Sequence, residues 1–264
     1  MWRARQGAEL HIIFRAFNFL SNANVDPDEL HVLQIGATMY FAGSVLWLLI
    51  FRRMTGSPTE NRDRLWALLT AHYAEHKVTS QFSNLDLNSF CNPSKFDKEY
   101  PKLKGKGGEI KHVIKPLYQI WQQFGRPAEV EDERVSLALK HLCDVHDVLD
   151  EYSTEMFLPV AAAKQLQESV QEHLLQYSHM AKICDGRGDM LFTVAPKHHM
   201  MTHWAAKAMY LNPRRVACFM DEDMVGIVKS IVQGCTSGST LDKIASTVTG
   251  KHRWGLHFRD APGV

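Results

Sequence analysis

Cysteine is scarce and shows no pairing pattern: Cys91, Cys143, Cys184, Cys218 and Cys235 are an odd number, widely spaced, with no CxxC among them. That usage argues against a disulfide framework and a CxxC-type zinc site, and points to reduced thiols in an intracellular compartment. Charge of one sign is missing too. Thirty Lys and Arg stand against 29 Asp and Glu, a formal charge of +1, so no global field draws the chain to nucleic acid or anionic lipid, and any such binding is local. With 16 Gly and 10 Pro in 264 residues, no linker marks a domain boundary. Several motifs are absent: no GxSxG elbow, no GxxxxGK[ST] loop and no GxGxxG after a strand, which leaves serine hydrolases and nucleotide-cofactor enzymes unsupported. Met1-Trp2-Arg3-Ala4-Arg5-Gln6 is not followed by an apolar h-region and a small-residue cleavage site, so no secretory signal is expected.

What is present is apolar and periodic. Hydrophobic residues make up 45% and charged ones 22%, enough for a sizeable core. From Val32 to Phe51 there are 20 residues without a formal charge, a length that spans about 30 Å as a helix. Two readings follow. Trp47, Tyr40 and the Arg52-Arg53 pair resemble membrane-interface anchors, whereas Gln34, Thr38, Ser44 and two glycines favour a helix buried inside a soluble core. Further helices are expected over Arg64 to His76, from Ile110 to Phe124 with a kink at Pro116, over Val135 to Tyr152, Val160 to Ala181 and Pro196 to Tyr210, and then over Asp221 to Val232 and Ser239 to Val248. Residues 9 to 17 suit a short strand or a helix, Gly56-Ser57-Pro58 ends the apolar helix, and Asp185-Gly186-Arg187-Gly188-Asp189 reads as a turn. The fold class is mainly α, a helical bundle.

Four constellations offer chemistry. Asp28-Glu29-Leu30-His31 places a carboxylate and an imidazole where a turn enters the apolar helix: either a divalent-metal ligand with a supporting histidine, or an N-cap aspartate. Asp221-Glu222-Asp223 opens a later helix, where acidic side chains stabilise the helix dipole or supply a late metal ligand. In Pro196-Lys197-His198-His199-Met200-Met201-Thr202-His203, His199 and His203 share a helix face, but Met200 stands where a zinc protease needs its glutamate; a phosphate-facing surface or a packed helix start is left. Lys102, Lys104 and Lys106 lead through Gly107-Gly108 into a helix bearing Lys111 and Lys115, a nucleic-acid backbone contact or a solvated lysine face. Arg214-Arg215, and Lys251, His252, Arg253 and Arg259, form smaller basic patches. Cys143, His146 and Asp150 share a face at i, i+3, i+7 but interleave with a core stripe, which favours packing over metal.

In this order the motifs resemble the C-terminal two-thirds of a eukaryotic cut-and-paste transposase with an RNase H-like DDE core. Asp28-x-x-His31 followed by Val32-Leu33-Gln34-Ile35-Gly36 matches the D-x-x-H signature entering an apolar helix, and Pro196-Lys197-x-His199-x-x-x-His203 matches the element before the last catalytic helix. The resemblance covers roughly residues 24 to 235. It implies Asp28 and Glu222 as ligands of Mg2+ or Mn2+, His31 in support, and DNA held by Lys102, Lys104, Lys106, Lys197, His199, His203, Arg214 and Arg215. It also implies a nuclear protein and a division into a core remnant with a strand or two (1–31), a helical insertion (32–195) and a C-terminal helical segment with a basic tail (196–264). Met1 to Val25 are too few for the usual first strands and first aspartate, so the expectation is a truncated or decayed copy. Such a chain binds DNA at most, self-associates, or relies on an upstream fragment carrying that aspartate; any activity would be metal-dependent phosphodiester cleavage or strand transfer. Two alternatives stand beside it, a helical protein-interaction module and a protein anchored in a membrane by residues 32–51.

Overall fold

The computed structural model describes residues 27–92, 94–95, 98–218, and then 225, 229–235, 240, 243–244 and 246–250. The expected strand or helix over 9 to 17, the Asp221-Glu222-Asp223 cluster and the basic residues from Lys251 onward lie outside them. Contacts divide the chain into a unit of residues 1–217 and a second of 218–264. In the second, residues 229–233 and 246–250 are helical, and Gly250 still belongs to its helix.

Every regular element in the described part of the first unit is helical. The apolar segment forms α1, Leu30–Arg53, long and apolar enough to cross a membrane by length and composition, yet with 89% of its most apolar window buried inside the protein. Its supposed membrane anchors have partners within the fold. Arg52 makes a bidentate pair with Asp189 at 2.6 and 2.8 Å, with its guanidinium 4.8 Å from the buried Trp47 ring, and Arg53 forks onto Asp132.

Around α1 stand α2 (Pro58–Glu75), α3 (Gly107–Phe124), α4 (Val130–Glu151), α5 (Val160–Arg187) and α6 (Pro196–Lys207), with 3-10 turns at Leu87–Ser89 and Pro213–Val216. The apolar helix ends at Arg53, just ahead of Gly56-Ser57-Pro58, and Ser57 also starts α2: its hydroxyl accepts from the Glu60 N–H while the Glu60 carboxylate accepts from the Ser57 N–H, a capping box with Pro58 in the first turn. The helix α3 continues through Pro116, which is buried. The predicted turn at 185–189 is a correction. Asp185, Gly186 and Arg187 are still helical, and α5 stops only at Gly188, whose φ of 73° supplies the left-handed cap while the Asp189 N–H reaches back to the Cys184 carbonyl.

The core fills with fully buried aromatics, among them Trp121, Trp204, Tyr73, Tyr177, Phe41 and Phe192. An extended stretch crosses α1 at Gly43, where an added Cβ would meet the backbone N of Lys102 at 2.7 Å; there the Leu103 N–H donates to the Met39 carbonyl. Small residues on α1 therefore serve close backbone approach within the fold.

Histidines are also part of this core. His173 is fully buried, edge-on to Phe41, with Nδ1 donating to the Ala138 carbonyl at 2.9 Å; burial holds its imidazole down to about 4. His146, also buried, is held down to about 3 by burial and then by Lys111. Unfolding restores an ordinary imidazole near 6.5, so below that pH the unfolded chain binds more protons than the folded one. Stability is therefore intact above about pH 6.5 and falls as pH drops toward the folded values, by about 1.4 kcal/mol per pH unit per histidine. Urea unfolding at pH 7.5 and pH 5 is expected to show this loss, and His173→Phe to flatten the slope.

Candidate functional site

The D-x-x-H segment folds as a helix entry. Asp28 Oδ1 accepts from the Leu30 N–H at 2.9 Å, its carboxylate also lies 3.3 Å from the His31 N, and the Val32 N–H reaches the Asp28 carbonyl. This is N-cap geometry. The same carboxylate holds the half-exposed His31 ring, Nδ1 to Oδ2 at 2.7 Å, so capping and pairing with the imidazole coexist.

Beyond His31 the first turns of α1, Leu30–Thr38, are wound as a π-helix with a break at Gly36 (φ −104°, ψ −108°). An added Cβ on Gly36 would lie 2.6 Å from the His31 carbonyl oxygen, which is why a residue without a side chain stands there. Beside the break, the Ile35 carbonyl accepts from Lys197 at the start of α6, whose ammonium lies at 3.0 Å. Thus α6 packs across the first turns of α1, joining the two sequence motifs. Burial lowers the Lys197 pKa, the Lys102 charge lowers it further and Asp28 opposes both, so these three charged groups share one neighbourhood. Lys102 also lies over the Tyr40 ring at 5.4 Å.

The other named residues divide. Lys104 and Lys106 are exposed, Lys104 with its ammonium on the Asn88 carbonyl and Lys106 as the N-cap of α3. His199 and His203 lie on the outer face of α6 with their Nε2 atoms 3.0 Å apart. His198, just before them, is structural: buried, against Tyr177, its Nδ1 in contact with the Ala195 backbone that starts the helix. Arg214 and Arg215, one half-buried and one exposed, both have partners within the fold. Arg214 reaches the fully buried Glu29 at 2.9 Å, and Arg215 donates to the carbonyls of Thr154 and Glu155. Lys111 has a partner as well, since it is buried and bonded to Asp150. Glu222 lies outside the described residues.

Sequence reasoning missed Glu29. Its Oε1 accepts from Gln34 at 2.8 Å and from Arg214, its Oε2 is buried without a partner, and burial raises its pKa although Arg214 and Gln34 oppose the shift. An inward-facing position at the head of an apolar helix was the one available signal; the partner is 185 residues away.

A Mg2+ or Mn2+ ion takes about six oxygen ligands in octahedral array. In the described part of this face, the Asp28 oxygens already accept backbone and imidazole N–H groups, and Glu29 is enclosed against a guanidinium. These residues alone do not fit such an ion. The cations gathered around this capped helix start are Lys197 and Lys102, beside Asp28.

The chain matches no protein-family model, no curated protein and no solved structure.

Proposed function

We propose that this chain is a transposase-derived nuclear protein that binds DNA through its phosphate backbone. The observation carrying this reading is the packing of α6 across the start of α1, which sets Lys197 beside Asp28 and Lys102 with the exposed Lys104 and Lys106 on the same loop. The sequence interval between the two motifs is 160 residues or more, so their meeting is not a consequence of local chain geometry. Phosphate contacts by lysine release condensed counterions, so affinity should fall steeply with salt, by about one power of salt concentration per contact. No cleavage step is assigned to the described residues.

Fluorescence anisotropy with a duplex oligonucleotide tests this. Lys102→Glu, Lys104→Glu and Lys106→Glu combined should weaken binding more than about tenfold and flatten the log-log salt slope by about two to three. Tight binding that ignores both salt and the triple substitution would sink the reading.

One observation favours an interaction module instead. Met156, Phe157, Val160 and Tyr210 expose apolar side chains, and the Asn212 N–H on the Met156 carbonyl joins the two segments carrying them. On that reading the purified chain binds no DNA and co-purifies with a protein.

A further inference from the structure

The extended stretch that leads into α3 has an alternating register. Pro101 and Leu103 are buried, and Gly105 turns the same way, since an added Cβ there would meet the Phe82 ring at 2.5 Å. Tyr100, Lys102, Lys104 and Lys106 hold the other positions: Tyr100 is 40% exposed, Lys102 half-buried, and Lys104 and Lys106 exposed. This is the period of two that an extended chain imposes. Backbone hydrogen bonds fix it in place. The Lys102 N–H donates to the Phe90 carbonyl at 2.7 Å, the Leu103 N–H to the Met39 carbonyl at 2.9 Å and the Lys104 N–H to the Ser89 carbonyl at 2.7 Å. The row is therefore set by the fold before any ligand arrives, which lowers the cost of binding along it.

Alternate residues of an extended chain stand about 6.7 Å apart. Three lysines at that interval can follow one sugar–phosphate backbone, whose charges repeat at a comparable step. The neighbouring carboxylates are engaged elsewhere: Glu99 pairs with Lys95 at 3.1 Å, and Glu109 accepts the Lys106 N–H at 2.7 Å as part of the α3 cap. Lys104 gives one N–H to the Asn88 carbonyl at 3.1 Å, and an ammonium has three to give.

The aromatic residues decide which kind of strand fits. Lys102 lies over the Tyr40 ring, and Tyr40 and Tyr100 both neighbour the Tyr177 hydroxyl, so rings and lysines interleave here. Tyr100 ends the lysine row with a ring open to water. Lysines alone would suit one strand of a duplex equally well. An aromatic face adds affinity only where a base is free to stack on it, and in a duplex the base faces are covered by their neighbours.

We propose that the row from Tyr100 to Lys106 is a track for unpaired DNA, with phosphates on Lys102, Lys104 and Lys106 and a base stacked on Tyr100. This deepens the DNA reading above and rests on it.

The test compares three labelled probes on the full chain by fluorescence anisotropy: oligo(dT), an abasic strand of the same length, and a duplex. Oligo(dT) is expected to bind at least about fivefold more tightly than either of the others at equal salt. Tyr100→Ala, at an exposed position, should keep the helical circular dichroism, weaken oligo(dT) binding about fivefold or more, and leave the abasic strand unchanged. Tyr100→Phe, which keeps the ring, should restore the affinity. The combined lysine substitutions should weaken all three probes, because each carries the same phosphates. Duplex binding that depends on the lysines, with oligo(dT) indifferent to Tyr100→Ala, would overturn the track and leave the DNA reading standing. An equal loss on the abasic strand would overturn the stacking, and failure of all three probes to bind would overturn both.

Discussion

Leu48→Arg is expected to abolish the folded state. Leu48 is 3% exposed on α1, within a core that also includes Trp47, Leu49 and Ile50. The substitution removes a buried isobutyl group, worth about 2–3 kcal/mol, and places a guanidinium where water does not reach, which adds several kcal/mol more. Natural domains carry only about 5–15 kcal/mol in total, so helical circular dichroism and cooperative melting should both be lost. The same variant separates the buried reading of α1 from the membrane reading. A chain anchored by this helix would be released from carbonate-washed membranes by the added charge while its remaining helices stayed folded.

Asp132→Ala should cost about 3–5 kcal/mol, the second largest effect expected. Arg53 donates from Nε at 2.6 Å and from a terminal nitrogen at 2.5 Å to the two Asp132 oxygens, and the side chains are 7% and 2% exposed. Asp132 Oδ2 also accepts from the Arg126 N–H, so one carboxylate ties the end of α1 to the loop before α4. Removing it leaves a guanidinium buried with only Glu129, at 3.4 Å, nearby. Replacing both members, Arg53→Met with Asp132→Leu, should recover much of the loss, because an apolar pair has no desolvation penalty to offset. Urea unfolding of the two single variants and the double variant gives the coupling directly.

Helical periodicity located α3, α4 and α5 because each has a continuous apolar stripe. It was silent over the polar start of α2, where the signal lay in the cap of Ser57 and Glu60. Gly186 misled the reading of α5: a glycine inside a helix costs only about 1 kcal/mol, and the cap two residues later decides the end. At the candidate face, Lys197 and Asp28 were legible as motif members. Which lysines turn inward was not, since Lys111 and Lys102 differ in partners brought from other helices: Asp150 for the first, the α1 surface for the second. His198 likewise stood among three similar histidines and was distinguished only by Tyr177.

The apolar helix α1 is tethered to late segments of the chain: to Asp189 through Arg52, 137 residues on, and to Arg214 through Glu29, 185 residues on. A ribosome adding about 5–20 residues per second would have this most water-averse stretch in hand for roughly ten to thirty seconds before the last of its covering elements emerged. Biogenesis of this protein should therefore lean on chaperones that shield nascent chains, and yield should improve when synthesis is slow and cool.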